Sequence, residues 1–307
     1  MSPFFSIIIP TYNRGHILPK TIQSVLNQNF NDWELIVVDD GSTDNTKEII
    51  ENFIKNDNRI IYIYQDNQER SAARNNGIEN SNGKYICFLD SDDEYLQHHL
   101  STFFDEIKIK NNPKSLFFTS LIIYNNGIDI DHPINKLKSN DSIYNYLFTE
   151  GIYPCRVCIE RSILNEFKFR LDSVIVEDTI LWLEIASKYP VFQINKKTVN
   201  YYQHEENSVN KKFNPCRKML IGINSFKKNN NNIYYKISRK VRFEIKSDLY
   251  YGIGFSYIIN NHRFLALFYM TKSLIINIKD IKRKHKVLII LKLFTFKRLS
   301  IIKTYIQ

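Results

Sequence analysis

The chain is expected to fold as an α/β domain with a mostly parallel central sheet flanked by helices, followed by a basic helical region. Three observations lead there. Apolar, β-branched runs alternate with helical spacings through residues 1–100. The runs themselves are near-continuously apolar, as strands covered on both faces must be. Charge also changes sign along the chain: residues 1–216 hold 22 Lys+Arg against 29 Asp+Glu, and residues 217–307 hold 20 against 3. A chain of 307 residues with 43% hydrophobic content is long enough for one large domain and an appendage. No internal repeat is present.

The elements follow in order. Phe4-Phe5-Ser6-Ile7-Ile8-Ile9 reads as a strand and ends at Pro10-Thr11-Tyr12-Asn13. Leu18, Ile22, Val25 and Leu26 share one face of a helix. Trp33 to Val38 is a second strand, running into Asp39-Asp40-Gly41-Ser42-Thr43-Asp44. A second helix opens at Asp44-Asn45-Thr46-Lys47-Glu48 and carries Ile49, Ile50 and Phe53. After a further strand and helix, the turn Asn82-Gly83 precedes Tyr85-Ile86-Cys87-Phe88-Leu89, which ends in Asp90-Ser91-Asp92-Asp93. In parallel sheets, ligands bind beyond the carboxyl ends of the strands. Thr11, Asp40 and Asp90 all fall at such ends.

Three carboxylates at the end of a buried strand are costly without a positive partner. A hard divalent cation is a natural one, since Mg²⁺ binds one or two carboxylates together with substrate phosphates. On an extended chain, positions 90 and 92 point the same way. Taken alone, the same residues are equally compatible with an acidic turn or a helix N-terminus.

The segments SIIIPTYNR (6–14), ELIVVDDGSTDNT (34–46), SAARNNGI (71–78), YICFLDSDD (85–93) and VEDTILWL (176–183) together resemble the inverting glycosyltransferases of family 2, with the GT-A fold, over roughly residues 4–210. The resemblance implies transfer of a sugar from a nucleotide-sugar, with UDP as the expected nucleotide, to an acceptor hydroxyl. It implies Mn²⁺ or Mg²⁺ as cofactor, bound by Asp92, with Asp90 near the ribose or the metal's waters. Asp93 would either back the metal ligands or hold the donor sugar. Asp40 would accept a hydrogen bond from the base, as an acceptor-only carboxylate can. Thr11 and Tyr12 would line the base pocket, and Arg74 would reach the base or the diphosphate with its donor fork. The family often has glycine in the loop before Ala-Arg-Asn. Here that loop is Asn67-Gln68-Glu69-Arg70, and Arg70 is expected at the surface.

Inversion by direct displacement needs a base on the acceptor hydroxyl. Asp178, in Val176-Glu177-Asp178-Thr179, precedes a helical run at 179–188. By itself it reads as a first-turn acid favoured by the helix dipole. The resemblance places the family's base in this acidic pair, which favours Asp178, with Glu177 orienting the acceptor or the local loop. An apparent strand at 191–202 leads to His204, which the resemblance offers as a ligand for the metal or diphosphate; a loop histidine without that role is the competing reading. His98 and His99 are expected to be structural or at the surface.

Cys155 and Cys158 form a C-x-x-C pair, but no second pair accompanies it, so structural thiols are favoured over zinc or redox chemistry. Cys87, inside a strand, reads as a small apolar residue. Few cysteines, and no signal peptide at Met1-Ser2-Pro3, point to a reducing cytoplasm.

The expected domains are a GT-A domain at 1–216, with a nucleotide-binding half at 1–110 and an acceptor-binding half at 111–216, and a basic region at 217–307. The tail reads as helices at 233–250, 252–278 and 281–304. No apolar run approaches the ~20 residues a spanning helix needs. A basic amphipathic tail is expected to attach the protein peripherally to an anionic membrane surface, on the inner face of the cytoplasmic membrane; a helical subdomain with a solvated basic face is the alternative. The tail has no nucleic-acid reader motif, so no nucleic-acid partner is expected. The expected acceptor is a glycan or lipid-linked glycan of a bacterial surface polysaccharide. A nucleotidyltransferase would need a Gly-rich basic loop after the first strand, which Thr11-Tyr12-Asn13-Arg14 is not. A non-catalytic binding or scaffold protein is the other alternative.

Overall fold

The computed structural model describes residues 2–125, 128–130, 135–173, 175–203 and 215–277. The chain forms two compact units, Met1–Leu171 with Glu177–Asn207, and Asp172–Val176 with Ser208–Gln307.

The first unit opens with β1 (Phe5–Thr11), α1 (Leu18–Leu26), β2 (Trp33–Asp39), α2 (Thr46–Ile54), β3 (Ile60–Tyr64), α3 (Glu69–Glu79) and β4 (Tyr85–Phe88). It continues through β5 (Glu94–Tyr95), α4 (His99–Ile109), β6 (Leu116–Asn125), β7 (Ile128–Ile130), α5 (Ile143–Thr149), β8 (Val157–Glu160), α6 (Glu177–Ala186) and β9 (Val191–Gln203). Two short 3₁₀ turns, Pro154–Arg156 and Arg161–Asn165, flank β8. Among the described residues the sheet order is β3-β2-β1-β4-β8-β6-β9-β5, with β7 paired to β6.

The expected parallel sheet holds for one half only. β1 pairs in parallel with β2 and β4, and β2 with β3. Beyond β4 the sheet is mixed: β8 runs antiparallel to both neighbours, β6 and β9 are parallel, and β5 is antiparallel to β9. The helix–strand alternation that dictates parallel pairing stops near residue 100, and the short strand β8 enters between β4 and β6 without a crossover of its own.

All seven residues of β1 and of β2 are buried. Odd-numbered side chains, including Phe5, Ile7, Leu35 and Val37, pack in one core with Leu18, Ile22 and Val25 of α1 and Leu100 and Phe103 of α4. The opposite face receives α3, where Gly77 lies so close to β1 that a Cβ there would sit 2.5 Å from Ile8 Cγ2. Glu34 is the charged exception inside β2; it accepts from Ser6 Oγ at 2.5 Å and from the Asn82 and Gly83 amides. A buried carboxylate persists when its lone pairs are filled in this way. His99 is structural, as expected. It is fully buried, stacked on Tyr95 with ring centroids 3.6 Å apart, and its ring nitrogen lies 2.8 Å from Thr198 Oγ1. Burial pulls its pKa down to about 3.

The second unit contains α7 (Pro215–Asn229), α8 (Asn231–Tyr234), α9 (Arg239–Ile259) and α10 (Arg263–Ile276). The helix break expected near 251 is not there. Gly252 lies inside α9, where a Cβ would meet Cys216 Sγ of α7 at 2.4 Å, so it allows close helix packing and does not end the helix. The break comes at Asn260–His262, with Asn261 at φ +61°. Asparagine tolerates that left-handed conformation better than most residues. The helix expected at 281–304 lies outside the described residues.

Gly77→Ala should lower thermal stability. Overpacking a core contact costs about 1–3 kcal/mol, which exceeds the roughly 1 kcal/mol that alanine gains in helix propensity. An unchanged or raised melting temperature would show that α3 can move away from β1.

Candidate active site

The loops at the carboxyl ends of β1, β2 and β4 are tied to one another. The Asp40 amide donates to the Thr11 carbonyl at 2.8 Å, and Asn13 Oδ1 accepts from the Thr43 amide at 2.8 Å. Thr21 Oγ1 of α1 donates to the Ser91 carbonyl at 3.0 Å, which holds the Asp90–Asp93 turn against the first helix.

Thr11 is buried, and its Oγ1 has no hydrogen-bond partner among the described residues. Asp40 is 4% exposed; its Oδ1 accepts from Gln65 Nε2 at 2.7 Å and the Gln68 amide at 2.9 Å. Those bonds brace the 65–68 loop and leave Oδ2 outside them. Its neighbour Asp39 is structural, accepting from the Ser42 amide and from Tyr62 Oη. Tyr12, by contrast, is 48% exposed at the rim.

A chain of ion pairs crosses the site. Arg74 of α3 is 3% exposed; its Nη2 lies 2.6 Å from Asp90 Oδ1, and its Nη1 lies 3.5 Å from Glu177 Oε1 of α6. The same Glu177 oxygen lies 2.6 Å from Arg70 Nε. Arg70 is therefore not the surface residue expected. It is partly buried and pairs α3 with α6, because a carboxylate as buried as Glu177 needs cations at hand. A signal was present in the sequence: Arg70 and Arg74 are four residues apart on one helix, and so share a face. Of the two roles expected of Glu177, its contacts are those of a residue that orders the local structure.

Glu69, one residue earlier, has φ +71°. This is the left-handed region that favours glycine, which agrees with the glycine the family often has in this loop.

Asp93 departs from one expectation. It has no exposed surface, so it does not face a donor sugar; its Oδ1 accepts from the Tyr202 amide at 3.1 Å and holds β9 against the acidic turn. Burial raises its pKa well above the usual carboxylate range, and Asp92 and Asp90 add to the rise. Among the described residues, no group of three or more His, Cys, Asp or Glu is gathered as a metal site. The carboxylate oxygens of Asp90 and Asp92 are nevertheless the hard donors that Mg²⁺ or Mn²⁺ takes, with nucleotide phosphates completing the shell. The residues present fit such an ion. His204 lies outside the described residues.

Asp178 is partly buried in the first turn of α6. Its Oδ1 accepts from the Thr179 amide at 2.5 Å. Burial first, and the adjacent Glu177 carboxylate second, push its pKa up to about 7, against the lowering pull of Arg70 and Arg74. A carboxyl tuned near neutrality can take and release a proton at working pH. The C-x-x-C cysteines are free and buried, as structural thiols should be; Cys158 sits directly across from Cys87 in the β4–β8 register. A surface hollow of about 290 Å³ beside Pro3, Lys84 and Arg161 lies at the opposite end of the strands and belongs to a different place.

The family model "Glycosyl transferase family 2" matches residues 6–165, over half of the chain. The chain belongs to glycosyltransferase family 2. It is 33% identical over 230 residues to an uncharacterized glycosyltransferase of Rickettsia bellii, covering 73% of this chain and 32% of the relative. It thus spans about a third of that relative's length. It is 36% identical over 193 residues to the Escherichia coli UDP-Glc:alpha-D-GlcNAc-diphosphoundecaprenol beta-1,3-glucosyltransferase WfgD, covering 62% of this chain and 72% of WfgD. The S. aureus TarS 1-349 structure in complex with UDP matches with a TM-score of 0.59 at 18% identity, over 97% of this chain and 93% of that one. The likeness shows the GT-A fold. Mannosyltransferase PcManGT from Pyrobaculum calidifontis, in complex with GDP-Man and Mn2+, matches with a TM-score of 0.59 at 14% identity, over 99% of this chain and 84% of that one.

Glu177→Gln in this family 2 protein should destabilise the first unit by about 3 kcal/mol, at the low end for a broken buried pair because Arg70 keeps some solvent. Urea unfolding measures it. A loss below about 1 kcal/mol would mean that the two arginines find other partners or water.

Proposed function

We propose that the protein is an inverting, metal-dependent glycosyltransferase that moves a sugar from a UDP-sugar to a hydroxyl of a lipid-linked bacterial glycan. The observation that carries this reading is the placement of Asp178. A carboxyl with a pKa of about 7 stands at the start of α6, and Glu177, Arg70 and Arg74 tie that helix to Asp90 of the acidic turn. A proton acceptor and a diphosphate-binding turn are thereby held in one framework, which direct displacement requires.

Asp40 and the unpartnered Thr11 hydroxyl bind the nucleoside, with Tyr12 at the rim. Arg74 and Asp90 position the ribose and diphosphate. Asp92, with Asp90 beside it, would hold Mn²⁺ or Mg²⁺, which when bound offsets negative charge on the leaving diphosphate. The acceptor oxygen attacks the anomeric carbon as its proton passes to Asp178. The bond from that carbon to the diphosphate oxygen breaks, the electron pair leaves with the diphosphate, and the anomeric centre inverts. WfgD, named for a UDP-glucose donor and a diphosphoundecaprenol-linked acceptor, supports the substrate classes. TarS with UDP and PcManGT with GDP-Man and Mn2+ support a nucleotide and a metal in this fold.

The second unit supplies membrane attraction. Residues 215–277 carry 11 Lys+Arg against 2 Asp+Glu. α10 exposes Phe264, Phe268 and Ile275 in the same region as this positive charge. Charge would draw the surface to anionic lipid, and inserted apolar side chains would retain it. Among the described residues, no helix is long and apolar enough to cross a membrane.

The decisive experiment is hydrolysis and transfer with a panel of nucleotide-sugars, with and without Mn²⁺. A scaffold would turn over none of them. Asp178→Asn should cut transfer by about 10²–10⁴-fold while donor binding survives. The wild-type kcat/KM should fall below a midpoint near pH 7, because the base works only when deprotonated. In Glu177→Gln that midpoint moves lower, since one of the two causes raising it is gone. A pH profile flat between 5 and 8 would place the base elsewhere.

The same shift bears on stability. A raised native pKa means that stability is lost as pH rises through about 7. Asp178→Asn should therefore melt higher than wild type at alkaline pH and lose that advantage in acid.

Sedimentation with anionic vesicles tests the tail. Binding should weaken as salt screens charge beyond about 8 Å and fall in Phe264→Asp/Phe268→Asp. Equal sedimentation with neutral vesicles would assign the charge to another partner.

A further inference from the structure

An aromatic pair on segments hydrogen-bonded to α6 and to the acidic turn is not used by the mechanism above. Tyr153 and Tyr201 are stacked nearly parallel, with ring centroids 4.8 Å apart and planes 4° apart. The segments that carry the two rings are hydrogen-bonded to different parts of the site. Trp182 Nε1 of α6, the helix that begins with Glu177 and Asp178, donates to the Ile152 carbonyl at 2.8 Å, one residue before Tyr153. Asp93 of the acidic turn accepts from the Tyr202 amide, one residue after Tyr201. The pair thus bridges the base helix and the diphosphate turn.

Tyr201 is partly buried and packs against the main core, while Tyr153 remains 37% exposed. Burial first, and the Asp178 carboxylate next, raise the Tyr153 phenol above its ordinary range. A backed ring is left partly in solvent on the segment bonded to α6, the helix that begins with Glu177 and Asp178.

We propose that Tyr153, backed by Tyr201, is the platform on which the acceptor's pyranose ring stacks. The proposal rests on the glycosyltransferase reading and names the acceptor subsite within it. A pyranose presents an apolar face of C–H bonds, whose positive ends suit the negative face of an aromatic ring. Stacking that face on Tyr153 sets the sugar's hydroxyls beside Asp178, where one of them can lose its proton. The donor has its own anchors at Thr11, Asp40 and Asp90, at the ends of β1, β2 and β4. Tyr153 instead follows the backbone bonded to α6, on the acceptor's side. Tyr153 is a positioning residue: it touches the acceptor sugar and takes no proton.

The test uses the full chain, UDP-glucose and UDP-N-acetylglucosamine as donors, and octyl glycosides carrying one pyranose ring as acceptors. Tyr153→Ala should raise the acceptor KM about five- to tenfold, the scale of one aromatic contact. Hydrolysis of donor to water and binding of UDP should be unchanged. Tyr153→Phe keeps the ring and should stay within about twofold of wild type. An unchanged acceptor KM in Tyr153→Ala, or hydrolysis lost in step with transfer, would overturn the platform. Saturation-transfer NMR with the octyl glycosides gives a readout independent of turnover: contact with wild type and Tyr153→Phe, lost in Tyr153→Ala. No contact with wild type would overturn the platform, whereas contact without any hydrolysis or transfer would overturn the transferase reading and leave a sugar-binding surface.

Discussion

Glu177 is almost wholly buried, and the ion pairs that join α6 to α3 converge on it. Its Oε1 draws Arg70 and Arg74 together on one face of α3, and Arg74 carries the link on to Asp90. Ions this deep are expensive to desolvate and persist only when each finds a partner. Here the charges alternate along the path, so each carboxylate meets a guanidinium. The arrangement adds little net stability. It supplies register: α6 cannot slide along α3 without leaving a buried charge alone. Asp178, next in the chain, inherits that fixed position and is tuned by the same neighbours. Burial and Glu177 raise its proton affinity, while the two arginines limit the rise.

The sheet serves the same end. Parallel β1, β2 and β4 bring three loops to one edge, and hydrogen bonds among those loops hold Thr11, Asp40 and the acidic turn at fixed spacing. The mixed half then returns β9 to Asp93. A fully buried aspartate is a poor contact for a sugar but a good anchor for a strand, since its charge state matters less than its acceptor oxygen. One motif of four residues therefore divides its labour. Asp90 pairs with Arg74, and Asp93 anchors the fold.

Much of this was legible in the sequence because it is local. Apolar runs set the strands from β1 to β4, and turn chemistry set their ends, so Thr11, Asp40 and Asp90 could be placed at one edge before any contact was known. The acidic pair 177–178 could be placed at a helix start for the same reason. Arg70 was misread because its partner is 107 residues away in the chain, and nothing local announces a long-range ion pair except the four-residue spacing to Arg74. The helix boundary expected at 251 was misplaced because a glycine that permits close helix packing, as Gly252 does, and one that ends a helix look alike until the neighbouring helix is known.

The sequence by itself determined the family, the strand–helix order of the first hundred residues, and the residue types at the strand ends, since periodicity and turn preferences act over a few residues. The tertiary structure alone decided that Asp93 turns inward, that Glu177 is shared by two arginines, that burial and Glu177 push the Asp178 carboxyl upward, and that Tyr153 stacks on Tyr201. Each of these depends on which distant groups share a small volume of low dielectric. Burial and pairing there are properties of the packed chain, and no stretch of sequence carries them alone.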